Sequence, residues 1–144
     1  MLHNRLPILI LLLLSGSSLA QTTPCTILGQ NPETAFPVCG TSVFHMDTVP
    51  ICGQRRVASL CVDDTMYTDK NPFWYKFTCF QSGKLAFFIT PDVLSEDYDW
   101  QIFDVTGKNP QDIYTDTTMF VVCSWSGVGG VTGACEDSGG VSLV

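Results

Sequence analysis

Asp92, Glu96, Asp97 and Asp99 bring four carboxylates into eight consecutive residues, Asp-Val-Leu-Ser-Glu-Asp-Tyr-Asp. Hard oxygens at that density suit Ca²⁺, which takes about six to eight such ligands in irregular geometry, and Asp97 and Asp99 are the foremost candidate metal ligands. A solvated acidic loop is the plain alternative, because the stretch has neither EF-hand spacing nor a Gly-Asp repeat. No other cofactor is expected. Among the aromatic residues, Trp125 stands beside a glycine-rich stretch and is the candidate for stacking on a ligand such as a sugar. Trp100 fits core packing instead.

Ser138 lies in Glu136-Asp137-Ser138-Gly139-Gly140, which resembles the Asp-Ser-Gly-Gly nucleophile segment of trypsin-like serine proteases, with Cys135 just ahead of it. Those enzymes have Gly in place of Glu136 and usually Pro in place of Val141. Their histidine sits in an Ala-Ala-His-Cys context, whereas His45 lies in Val-Phe-His-Met. They also need two barrels, which this length cannot supply. A trypsin-like protease fragment is therefore set aside. Two carboxylates could serve glycoside hydrolysis, but fourteen dispersed acids meet that requirement by chance. No catalytic residue is assigned, and the chain is read as a non-enzyme.

The N-terminus has the regions of a secretory signal: Asn4-Arg5, an apolar run over 6–14, then Ser-Gly-Ser-Ser-Leu-Ala ending at Ala20. The apolar run is well short of the ~20 residues that span a bilayer. Residues 1–20 are thus expected to be a cleaved signal peptide, with no membrane insertion after its removal and a secreted, extracellular or cell-surface location. What remains is long enough for one domain with a modest core. Without Arg5 it holds six basic residues against fourteen acidic ones, dispersed along the chain. That balance excludes nucleic acid and anionic membranes as partners.

Seven cysteines, Cys25, Cys39, Cys52, Cys61, Cys79, Cys123 and Cys135, all follow the signal. In a secreted chain of this size they are disulfide candidates. Cys25 with Cys39 and Cys52 with Cys61 would close small loops, and Cys39 with Cys52 is equally legal. The odd count points to a free thiol, an intermolecular bridge or a missing stretch of chain. Zinc is a poor fit, since there is no Cys-x-x-Cys pair and only His45 survives the leader.

These groups must be held by elements of mostly strand character. Residues 21–70 form a Cys- and Pro-rich leading segment without helical period, in which Val43-Phe44 and Val49-Pro50-Ile51 are expected edge strands. Residues 71–144 carry the expected sandwich core. Aromatic and β-branched runs over 71–107, bounded by Gly, Pro, Asn and Asp, predict three consecutive strands. Ser82-Gly83 is expected to turn the first strand back onto the second. Tyr75, Phe77 and Cys79 would then share a core face with Leu85, Phe87 and Ile89, continued by Trp100 and Ile102. Ile113-Tyr114 and 119–125 are expected to supply a second layer, and Val141-Ser142-Leu143-Val144 to begin a further strand. The Asn-Pro pairs at 31, 71 and 109 mark element boundaries.

Asn71-Pro-Phe-Trp-Tyr-Lys-Phe-Thr-Cys79, Ser82-Gly-Lys-Leu-Ala-Phe-Phe-Ile-Thr-Pro91, Asp97-Tyr-Asp-Trp-Gln-Ile-Phe-Asp-Val-Thr-Gly107 and Ser124-Trp-Ser-Gly127 resemble an N-terminal module of large secreted surface proteins in gliding Bacteroidetes, a gliding-motility-associated, type IX secreted group. The likeness covers roughly residues 25–133. More distantly, the pattern is similar to the jelly-roll pre-peptidase C-terminal domains of secreted bacterial hydrolases. The resemblance implies an all-β, antiparallel jelly-roll-like β-sandwich, here disulfide-stapled and truncated at its C-terminal end, and it brings no catalytic residues. It leaves Cys123 and Cys135 outside the shared pattern, open to bridging each other across the glycine loop. The implied function is adhesion, display or spacing as a module of a secreted or cell-surface protein. Its partners would be other extracellular or surface protein modules, or glycans. A carbohydrate-binding accessory domain is the alternative.

Overall fold

The computed structural model of the chain describes residues 25–40, 43–49, 52–58, 60–61, 68–134 and 141–143. The expected signal peptide, Pro50-Ile51, Cys135 and Ser138 lie outside them. The described residues form eight short strands and three 3₁₀ turns, with no α-helix among them. No helix there is long and apolar enough to cross a membrane.

The strands pair two by two. β1 (Phe36–Pro37) runs parallel to β2 (Tyr75–Lys76). β3 (Gly83–Leu85) and β4 (Phe87–Ile89) follow one another with only Ala86 between them. β5 (Trp100–Phe103) is antiparallel to β6 (Phe120–Ser124), and Val121 is an extra residue where the register shifts between Ile102 and Phe103. β7 (Thr132–Ala134) lies antiparallel to β4, and β8 (Val141–Leu143) antiparallel to β3. The returning chain therefore accompanies 83–89 in two pieces, with 135–140 falling between them.

Two Asn-Pro pairs start 3₁₀ helices for a local reason. Asn31 and Asn109 are extended, and their side-chain oxygens accept from the N–H of Glu33 (3.2 Å) and Gln111 (2.9 Å). The following proline has no N–H to leave unsatisfied. The helices are Pro32–Thr34 and Pro110–Tyr114, and a third, Thr117–Met119, is capped by Asp116.

Several expectations are corrected. β2 does not fold back on β3: Gly83 is inside a strand, and β2 pairs with β1 through Phe36 N–H to Trp74 O (2.7 Å) and Val38 N–H to Lys76 O (2.8 Å). Tyr75, Phe77 and Cys79 are consequently exposed instead of forming the core face. Leu85, Phe87, Ile89, Trp100 and Ile102 are half-buried, as a shared face requires. Ile113-Tyr114 is 3₁₀ instead of strand, because the Asn109 cap and Pro110 set that geometry before the apolar residues are reached. Val43-Phe44 is irregular and exposed. One of the four strand pairs is parallel, so the sheets are not wholly antiparallel.

The core is small. Ile113 and Met119 are the large side chains fully buried among the described residues, joined by Ala35, Cys52, Val57 and Ala134. Covalent bonds compensate. Cys25 is bonded to Cys52 and Cys61 to Cys123, with Cα–Cα separations of 5.6 and 6.3 Å. These replace the expected local pairings 25 to 39, 52 to 61 and 39 to 52, and Cys123 is not joined to Cys135. Spacing favours short loops, whereas the fold brings the leading segment against β6. Such bridges belong to an oxidising compartment.

Candidate functional site

A buried polar clasp ties the leading segment to the 3₁₀ turn at Pro110–Tyr114. Gly53 (φ +93°) and Gln54 (φ +81°) both take left-handed backbone, which swings successive N–H groups toward Asp69. Gln54 N–H donates to Asp69 O (3.3 Å) and Arg55 N–H to Asp69 Oδ1 (2.5 Å). Tyr114 Oη donates to Asp69 Oδ2 (2.8 Å). Arg55 Nη2 donates to Tyr114 Oη (2.6 Å), Nη1 to Gln111 Oε1 (2.7 Å), and Gln111 Nε2 in turn to Asn31 Oδ1. The guanidinium carbon also lies 3.8 Å from the Tyr114 ring centre.

The Asp69 side chain is only 2% exposed and Arg55 Nε lies 3.7 Å from Oδ2, so the carboxylate is paired and hydrogen-bonded. Burial, followed by the bond to Asp69, pushes the Tyr114 hydroxyl far above its ordinary value. The Tyr114 hydroxyl therefore keeps its proton near neutrality, and the clasp reads as a fastening. Beside it is a cleft of about 240 Å³ lined by Arg56, Ala58, Tyr114, Thr115 and Thr117.

The acidic loop is folded on itself. Glu96 N–H donates to Val93 O (2.9 Å), Tyr98 Oη to Glu96 Oε2 (3.2 Å), and Gly130 N–H to Glu96 O (3.0 Å). Burial first and the Asp97 charge second raise Asp99 above the usual carboxylate range. Among the described residues, no group of three or more His, Cys, Asp or Glu side chains is placed to hold an ion. Asp97 and Asp99 are thus electrostatic neighbours without a third ligand of those types. His45 Nε2 is 3.0 Å from Asp47 Oδ1, both largely exposed.

Trp125 is half-buried and tied down: its Nε1 donates to Gln101 Oε1 (3.2 Å), and Gln101 Nε2 donates to Ala58 O (2.6 Å). Trp100 Nε1 donates to Thr132 Oγ1 (3.1 Å), and its ring meets Phe87 edge-on at 5.0 Å. Trp74 packs between Phe103 and Tyr114, each 6.2 Å away, and its buried Nε1 makes no hydrogen bond among the described residues.

The available aromatic surface is elsewhere. Phe36 and Tyr75 stand opposite each other on β1 and β2, and Phe73 and Phe44 close around them. Ring centres are 4.9 Å apart for Phe73–Tyr75, 5.3 Å for Phe36–Phe44 and 5.7 Å for Phe44–Tyr75. Phe44 and Tyr75 remain 42% and 43% exposed, and Val43 beside them is almost wholly so. Gly29 makes room beneath: at φ +85° a Cβ there would lie 2.5 Å from Phe73 Cζ.

Sequence reasoning missed both constellations. Arg55, Asp69, Gln111 and Tyr114 have no motif spacing, because the left-handed turn at Gly53-Gln54 creates their proximity. The Phe73-Trp74-Tyr75 triplet was a usable signal, since consecutive aromatics in a strand cannot all face one core. No family model, curated protein or solved structure matches the chain.

Proposed function

We propose that the chain is a non-enzymatic extracellular module of a secreted or cell-surface protein, which adheres to another protein through the aromatic face of β1–β2. The observation that carries this reading is the interlocked Phe36, Phe44, Phe73 and Tyr75 cluster with two rings left about two-fifths exposed. Aromatic rings rich in area and poor in rotamer freedom are the side chains that dominate protein contacts. The polar constellation argues in the same direction, because Asp69 is spent within the fold. The strand pairs are taken as pieces of a jelly-roll-like sandwich, in keeping with the resemblance of 71–127 to modules of gliding-associated surface proteins. Spacing or display within such a protein is compatible with the same face.

The test is adsorption of the oxidised mature chain to protein-coated and glycan-coated surfaces, wild type against Phe44→Ala/Tyr75→Ala. Truncating two central aromatic residues should weaken binding to protein by at least about tenfold. Circular dichroism should show the fold retained. Binding confined to glycans and lost in the same variant would make the module a carbohydrate-binding one. Binding that is absent, or indifferent to both rings, overturns the adhesion reading.

A further inference from the structure

We propose that the cleft beside the clasp binds a sugar acid, one uronate residue whose carboxylate pairs with Arg56 and whose hydroxyls meet Thr115 and Thr117. The inference does not rest on the adhesive role, since the lining shares no residue with the aromatic face of β1–β2. Arg56, Ala58, Tyr114, Thr115 and Thr117 surround a volume of about 240 Å³. Drug-sized ligands occupy pockets of roughly 300–1,000 Å³, so this one suits a single small unit.

The chemistry of the lining selects the ligand. Arg56 is exposed and, among the described residues, its guanidinium has neither an ion pair nor a hydrogen bond. Arg55 and Lys108 are already paired, with Asp69 and Asp116. Arg56 is thus the cation the cleft offers, and its planar fork matches a carboxylate through two parallel hydrogen bonds. Thr117 Oγ1 is equally uncommitted among the described residues. Thr115 Oγ1 donates to Asp112 O (3.3 Å) and keeps its acceptor capacity. A fork flanked by two hydroxyls asks for a ligand that carries hydroxyls besides its charge. The Tyr114 hydroxyl is consumed by Asp69 and Arg55, which leaves ring carbon to the cleft, and Ala58 adds a methyl. Such apolar wall suits the C–H face of a sugar ring, and an inorganic anion would leave it uncovered.

The walls are held before any ligand arrives. Arg56 forms an antiparallel bridge with Thr68, and Asp69 N–H donates to Arg55 O (2.9 Å) alongside it. Tyr114 is pinned through its hydroxyl, and Thr117 begins a 3₁₀ helix capped by Asp116. Binding therefore costs little ordering of the backbone. The chain has a formal net charge of -7, and its repulsion of an anionic ligand sets the expected dissociation constant at about a millimolar.

The full chain as secreted, labelled with ¹⁵N, is titrated with galacturonate, trigalacturonate, galactose and acetate, and its backbone amides are followed by NMR. Galacturonate should shift the amides of 56–58 and 114–117 saturably. Galactose and acetate, each lacking half of the ligand, should bind at least about tenfold more weakly. Arg56→Gln should weaken galacturonate binding by at least about tenfold, and Arg56→Lys by less, because the ammonium keeps the charge and loses the fork. Thr117→Val should weaken it by about threefold to tenfold. Phe44→Ala/Tyr75→Ala should bind galacturonate as wild type does, whatever it does to adhesion. Equal affinity for galacturonate and trigalacturonate would make the free acid the source, and tighter binding of the trimer a polysaccharide; either upholds the uronate site. Galactose or acetate binding as tightly as galacturonate overturns the proposal. So do shifts confined to other parts of the chain, wild-type affinity in both Arg56→Gln and Thr117→Val, or no shift at about 50 mM galacturonate.

Discussion

Tyr114 donates its hydroxyl proton to Asp69 across 2.8 Å, joining a residue of the 3₁₀ turn to a carboxylate 45 positions earlier in the chain. That bond decides how the Cys-rich leading segment seats on the rest of the molecule, because Asp69 is also gripped by the backbone of Arg55.

Tyr114→Phe removes the donor and leaves Oδ2 of a buried carboxylate to the Arg55 side chain alone. Hydrogen bonds to charged groups contribute about 1.5–3 kcal/mol. Urea unfolding at neutral pH should show a loss of that size. Arg55→Lys should cost stability as well, since one ammonium cannot reach both Gln111 and Tyr114 as the guanidinium fork does. An unchanged midpoint in both variants would remove the clasp from the account of stability.

Gly53→Ala tests the turn beneath the clasp. A Cβ at Gly53 would run into the Asp69 carbonyl oxygen, and φ +93° is strained for any L side chain. Strain of this kind costs about 1–3 kcal/mol before the clash is added. The variant should melt well below wild type, and Gly53→Asn should fall between them, because Asn tolerates left-handed backbone yet still carries the Cβ.

The two disulfides should not contribute equally. Cys61–Cys123 closes a sequence separation of 62 and Cys25–Cys52 one of 27. Chain entropy alone gives ~4.3 and ~3.5 kcal/mol. With so few large side chains buried, losing either should lower stability markedly. Paired serine variants at 61/123 should be the less stable in denaturant titration. If reductant opens both bridges, confirmed by thiol titration, and the melting curve does not move, then the core carries more than its size indicates.

What was legible in the sequence follows from the range of the interaction behind each feature. Asn31-Pro32 and Asn109-Pro110 announced their boundaries because a cap and a fixed φ act within three residues. The strands at 87–89, 100–103, 120–124 and 141–143 were visible for the same reason, since β-rich composition is local. Partner choice was not. Tyr75 has the pattern of a core strand, yet it pairs with Phe36, 39 residues away, and faces outward. Cys61 reaches past Cys52 to Cys123, which no spacing rule favours. The Ser82-Gly83 turn failed where a local signal competed with a distant one: β3 took β8 as partner instead of β2.

Acid titration should separate two aspartates of opposite character. Asp116 is held down to about 2 by hydrogen bonds from Thr118 and Lys108, the latter at 2.9 Å. Its folded value lies below the unfolded one, so its contribution is present above about pH 3.9 and is lost as pH falls through about 2. Asp99 is raised by burial and by Asp97. Its folded value lies above the unfolded one, so the stability it lends is complete below about pH 3.9 and is lost as pH rises through the folded value. At pH 7, therefore, Asp116→Asn should lower the melting temperature and Asp99→Asn should raise it. The Asp99→Asn difference should vanish below about pH 3.9, while that of Asp116→Asn should persist until about pH 2. The measurement is a melting series from pH 2 to 7 on the three proteins, repeated with millimolar Ca²⁺. A rise with Ca²⁺ that Asp99→Asn abolishes would show that the loop gathers an ion, and the sign expected for Asp99 would then be reversed.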